Sequence, residues 1–171
     1  MIEPMPLAPE RGSSPVESPT WRVRLAERRD AAAIAGAVAE LLVELGAAPP
    51  PEATMQDATR ALLEDPDSGV LLVAEAGDEL VGVLAVSWQT AIHVPGRYGL
   101  IQDIWVRATW RSRAIGAALI AALAEQARAK GIARLEVGLP KASFSGRGAT
   151  EAFYRANGFE PLGPRMRWLS A

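Results

Sequence analysis

The stretch with the most chemical content is Arg111-Ser112-Arg113-Ala114-Ile115-Gly116, which follows the apolar run Ile104-Trp105-Val106 and opens an Ala-rich segment. The first N–H groups of a helix lack intrahelical partners and carry partial positive charge, so a strand–loop–helix junction of this kind binds anions. Arg111 and Arg113 set two permanent cations beside it, and Gly116 lets the helix backbone approach a ligand closely. A pyrophosphate is the natural occupant. Other chemistries are excluded by residue type. The chain has no cysteine, hence no thiol nucleophile and no thiolate zinc site, and its single histidine, His93, rules out a two-histidine metal motif. Neither G-x-G-x-x-G nor Gly-x-Ser-x-Gly occurs, which disfavours a dinucleotide fold and a hydrolase serine; Ser143 and Ser145 read as loop residues.

The elements that must position this junction can be read from periodicity. The 171 residues suffice for one domain. Residues 1–20, rich in proline and serine, predict a disordered tail, and residues 21–171 a single domain. Trp21, Val23 and Leu25 alternate with arginines as a half-buried strand. Asp30 then caps a helix with Ile34, Val38, Leu41, Leu42 and Leu45 on one face, stopped by Gly46. After Pro49-Pro50-Pro51, a second helix covers Glu52 to Glu64. Val70–Glu75 and Leu80–Val86, joined by Gly77-Asp78, predict an antiparallel hairpin. A strand at 98–107, a helix at 114–130 closed by Gly131, and a strand at 132–139 form a β-α-β unit with parallel strands. A short helix at 149–157 ends in Asn157-Gly158, and two further strands are expected at 159–162 and 165–169. The class is mixed α/β.

The net charge of −2 conceals a split. Residues 21–96 hold twelve acids and five bases, whereas residues 97–171 hold five acids and twelve bases. The basic half contains the whole anion site. A nucleic-acid binder is disfavoured, since the arginines are scattered over several elements without a recognition motif. No apolar run is long enough to span a membrane, and the N-terminus lacks the order of a signal peptide, so a cytoplasmic protein is expected.

Ile104-Trp105-Val106 running into Arg111-x-x-Ala114-x-Gly116 resembles the coenzyme loop of the GNAT superfamily of N-acetyltransferases, whose loop reads Arg/Gln-x-x-Gly-x-Gly/Ala. Phe153-Tyr154-Arg155-Ala156-Asn157-Gly158-Phe159 is similar to the family's late helix, and the element order agrees as well. The resemblance implies a twisted mixed sheet of about seven strands with about four helices, splayed open near the acetyl group. It implies acetyl-CoA as co-substrate, no metal, and a small-molecule or peptide amine as acceptor, and it leaves room for a homodimer. The coenzyme would be held by Ile104, Trp105, Val106, Arg111, Ser112, Arg113, Ala114, Ile115 and Gly116, its pantetheine arm pairing with the strand edge as an added strand. Tyr154 inherits the position of the general acid that protonates the departing thiolate, and the Val106 N–H would stabilise the oxyanion.

Three positions depart from the family's pattern. Ala114 replaces the first glycine and is expected at negative φ in the first helical turn. Arg147 stands seven residues before the tyrosine, where asparagine is frequent, and is assigned to a coenzyme phosphate. Gln102 stands where a catalytic glutamate can occur. Asp103, on the opposite face by strand alternation, reads as structural, and His93 as a surface residue. Trp105 is expected to line the acceptor cleft with Tyr98 flanking it, and Trp110 to pack beneath the phosphate site. The cleft itself maps to residues 44–54, 89–97 and 160–165; Glu44 and Glu52 read as solvated helix charges, with attraction of a cationic amine as the alternative. A non-catalytic acyl-CoA sensor of the same fold is the alternative reading.

Overall fold

The computed structural model describes residues 20–94 and 96–163. The expected tail, apart from Thr20, and the expected strand at 165–169 lie outside them. The order is β1 (Arg22–Leu25), α1 (Ala31–Glu44), α2 (Glu52–Glu64), β2 (Gly69–Ala76), β3 (Glu79–Thr90), β4 (Arg97–Val106), α3 (Ile115–Ala129), β5 (Leu135–Val137) and α4 (Arg147–Ala156). The strands form one sheet in the order β1-β2-β3-β4-β5, antiparallel except for the parallel pair β4–β5. Among the described residues the strands number five, fewer than expected, and 159–162 forms no strand.

The sheet is the middle of three layers. Leu71, Val73, Val83, Ala85 and Trp105 face α1 and α2, whereas Leu72, Leu84, Val86 and Ile101 face α3 and Tyr154 of α4. Being covered on both faces, β2 and β3 read as continuous apolar runs without alternation. Trp105 is 4% exposed within the α1 layer, so it belongs to the core and does not line a cleft.

Helix ends follow local chemistry. Gly46, Gly131 and Gly158 all have positive φ, and the N–H of Ala47, Ile132 and Phe159 donates back to Leu42, Ala127 and Tyr154. Ile132 is thus consumed by the cap of α3, which explains why β5 starts at Leu135 and not at 132. Asp30 does not cap α1. Its carboxylate turns back to the Glu27 N–H at 2.7 Å and takes two hydrogen bonds from Arg24.

Candidate active site

Two irregularities of β4 create the site. Its pairing with β5 covers only Gly99–Ile101, so from Gln102 to Val106 its outer edge has no strand partner among the described residues. Backbone groups of successive strand residues point to opposite edges. The Arg107 N–H donates to the Val81 carbonyl at 2.9 Å, on the β3 side, so Val106 and Ile104 turn their N–H and C=O groups to the open edge. Gly99 stands where the split begins. A Cβ there would lie 2.6 Å from Leu135 and 2.8 Å from the Trp88 ring, so only glycine lets the strands and Trp88 cross at that point.

The second irregularity is a bulge. Ala85 pairs with Asp103 but Val86 with Ile101, which leaves Gln102 as the extra residue. Ile101 and Ile104 consequently both pack on the α3 side, and Gln102 and Asp103 share the other face. The simple alternation that set Asp103 opposite Gln102 fails here. Gln102 donates to the Ser87 hydroxyl at 2.7 Å, while burial pushes the half-buried Asp103 carboxyl above the usual carboxylate range.

Beyond β4, a 3-10 turn (Ala108–Trp110) leads into the basic loop. Ser112 and Ala114 both have φ of +61°, contrary to the negative φ expected of Ala114. Left-handed residues alternating with ordinary ones fold the backbone into a concavity whose N–H groups converge, a nest for anions. The loop thus needs at position 114 the conformation glycine gives freely, and alanine holds it at a cost of about 1–2 kcal/mol. Helix α3 begins without a capping side chain and with no acid in its first turn. The Ala118 N–H is the first to bond back, to the Ala114 carbonyl at 3.0 Å, which leaves the N–H groups of Ile115, Gly116 and Ala117 directed toward the nest. Arg113 lies over the Trp110 ring at 4.8 Å, and Trp110 packs against the core, as expected for the floor of the loop. A Cβ on Gly116 would lie 3.0 Å from the Phe153 ring, so this glycine also serves the contact between α3 and α4.

Arg111 is already engaged. Its Nε donates to the Val106 carbonyl at 3.0 Å, and its Nη1 and Nη2 grip both Glu44 carboxylate oxygens at 3.0 and 2.6 Å. Arg147, at the start of α4, donates to the Pro140 carbonyl and ties together the loop from β5. Between the end of α1 and that loop lies a cavity of about 360 Å³, with Glu44 and Leu45 on one side and Lys141, Ser143 and Ser145 on the other. The cleft expected from sequence includes Glu44 but not the Lys141–Ser145 wall, whose residues carry no distinguishing pattern.

Tyr154 is 5% exposed, wedged edge-on between Phe153 and Phe159 with centroids 5.2 and 5.3 Å away. Burial and then the charge of Asp103 hold its phenol above the ordinary value, so it stays protonated at neutral pH. His93 is exposed in the loop after β3. No group of metal-ligating side chains is found among the described residues, and no described helix is long and apolar enough to cross a membrane.

A mixed sheet split along one strand, with an anion nest at the head of the next helix, defines an α/β domain in which a free strand edge and an anion site adjoin. The chain belongs to the acetyltransferase (GNAT) family, whose pattern matches residues 37–159. It is similar to an integron cassette protein from the mobile metagenome of Cole Harbour Salt Marsh, at 27% identity and TM-score 0.72 over 87% of this chain and 89% of that one. A predicted acetyltransferase from Clostridium acetobutylicum, solved with acetyl-CoA, shares the fold at 18% identity and TM-score 0.70 over 88% and 95% of the two chains. The aminoglycoside N-acetyltransferase AAC(6')-Iy, solved with CoA, does so at 17% identity and TM-score 0.72 over 95% and 99%. No curated protein matches the chain significantly.

Proposed function

We propose that the protein transfers the acetyl group of acetyl-CoA to a primary amine by direct attack. One observation carries the reading: the unpaired edge of β4 at Ile104 and Val106 runs into a backbone nest at the N-terminus of α3. The edge offers alternating donors and acceptors to the amide groups of a pantetheine arm, as an added strand does. The nest, with Arg111 and Arg113, offers fixed positive potential to a pyrophosphate. A loose surface patch of arginines would not combine the two at the end of one strand.

The reacting groups follow from the split. The Val106 N–H, on the open edge, donates to the oxygen that becomes negative when the amine attacks the thioester carbonyl; one such donor is worth about 3–4 kcal/mol. Tyr154, kept neutral by burial, gives its proton to the departing sulfur. Asp103 takes the role of base. It is a half-buried carboxylate on the same strand as Ile104, its pKa is raised by burial, and the bulge turns it to the side of the sheet that carries α1. The absence of cysteine fits direct transfer without an acetyl-enzyme. Arg147, whose guanidinium donates to the Pro140 carbonyl, is the further candidate for a coenzyme phosphate.

Thiol release from acetyl-CoA, followed with a panel of amino acids, polyamines, aminoglycosides and peptide N-termini, tests the reading. Amine-dependent release is expected for at least one class. Tight acetyl-CoA binding with no release from any amine would favour a non-catalytic sensor, and absence of binding would reject both.

A further inference from the structure

The bidentate pair between Arg111 and Glu44 joins residues 67 apart in sequence, one in the coenzyme loop and one at the last turn of α1. Both side chains are half-exposed, at 46% and 41%, so the pair is accessible to a competing ion. The same guanidinium covers the Val106 carbonyl on the open edge of β4. One side chain therefore occupies the Val106 carbonyl of the strand edge and pairs with the one acid that lines the cavity beside it.

Resting on the acetyltransferase reading, we infer that Arg111 and Glu44 form an exchange clasp, in which the coenzyme's pyrophosphate takes Arg111 from Glu44 and the released Glu44 carboxylate then receives the ammonium group of the acceptor. A pyrophosphate brings more negative charge than one carboxylate and is held in addition by the nest, so it wins the guanidinium. The exchange uncovers the Val106 carbonyl for the pantetheine arm. It also leaves Glu44 unpaired in a cavity whose only other charged lining residue is Lys141. The coenzyme thus creates the negative charge that recruits a cationic acceptor. The acceptor class this selects is an amine charged at neutral pH.

The decisive readout is the sign of a change in affinity. Calorimetric titration of acetyl-CoA into the full chain is expected to show Glu44→Gln binding about two- to five-fold tighter than the unsubstituted protein, the range an exposed ion pair is worth. In an Arg111→Ala background the same substitution should leave affinity unchanged, because the competition acts through that guanidinium. If Glu44 instead positions Arg111 for the coenzyme, Glu44→Gln weakens binding; that result, no change, or equal tightening in the Arg111→Ala background overturns the clasp. For the best amine of the thiol-release panel, Glu44→Gln should raise KM at least about ten-fold while kcat stays within about three-fold. An unchanged KM overturns the acceptor half alone, whereas turnover of no amine by a protein that binds acetyl-CoA fails the acetyltransferase reading itself. A protein that binds no acetyl-CoA fails the underlying reading.

Discussion

Ala114 shows how far a single residue can depart from its local preference. Alanine is the strongest helix former, and its sequence neighbours read as the start of a helix, so negative φ is the natural expectation. The structure sets it at +61° because the chain must turn its N–H groups inward before α3 begins. Replacing it with glycine relieves the steric cost but widens the unfolded ensemble. The net effect expected for Ala114→Gly is a gain of about 0.5–1 kcal/mol in urea denaturation, with acetyl-CoA binding at least as tight. A loss of stability would mean that the loop does not hold a left-handed residue there. Tyr154, by contrast, is proposed as the general acid from its motif, and its burial agrees with a neutral phenol. Tyr154→Phe keeps the ring wedged between Phe153 and Phe159 and removes only the proton. It should lower kcat by about 10²–10⁴-fold while acetyl-CoA affinity changes little, as steady-state kinetics and calorimetry would show.

At the scale of elements, periodicity located α1, α2, α3, β2 and β4 to within a residue or two, whereas β3 runs four residues past its expected end, to Thr90, and α4 starts two residues early, at Arg147. The active features were less legible. The bulge at Gln102 exists only in the register between β3 and β4, and a single strand's sequence does not contain it. The short β5 and the open edge depend on Ile132 being drawn into the cap of α3. The Arg111–Glu44 contact joins segments that share no local signal. Gly99 binds these features together, since it lets β5 and Trp88 meet β4 where the split begins. Gly99→Ala forces a Cβ into both neighbours and should cost about 1–3 kcal/mol by urea denaturation. An effect below about 0.5 kcal/mol, within the usual range for a surface position, would show that the crossing is looser than described.

Across the whole molecule, the charge split read from the sequence corresponds to a division of labour. The basic half forms the open edge, the nest and α4, while the acidic half supplies β1 to β3, α1 and Glu44. A separate cluster ties the acidic half together at the far edge of the sheet. Arg24 hydrogen-bonds both Asp30 and Glu75 and holds these carboxyls below their ordinary values of 3.8 and 4.5, helped at Glu75 by Arg22. Depressed carboxyl pKa values stabilise the fold above those ordinary values and lose that contribution as pH falls through the folded ones. The melting temperature should therefore fall as pH drops below about 4.5, and Arg24→Met should flatten that slope; an unchanged slope would place the acid sensitivity elsewhere.

The central claim is that the open edge of β4 and the nest before α3 are one coenzyme site. Hydrogen–deuterium exchange with and without acetyl-CoA tests it most directly, since the amides concerned are those of Ile104, Val106 and residues 112–117. Saturating acetyl-CoA should slow exchange at the strand edge and in the loop together, while the β1–β2 pair stays unchanged. Protection confined to other segments, or none in either of these two, would contradict the account.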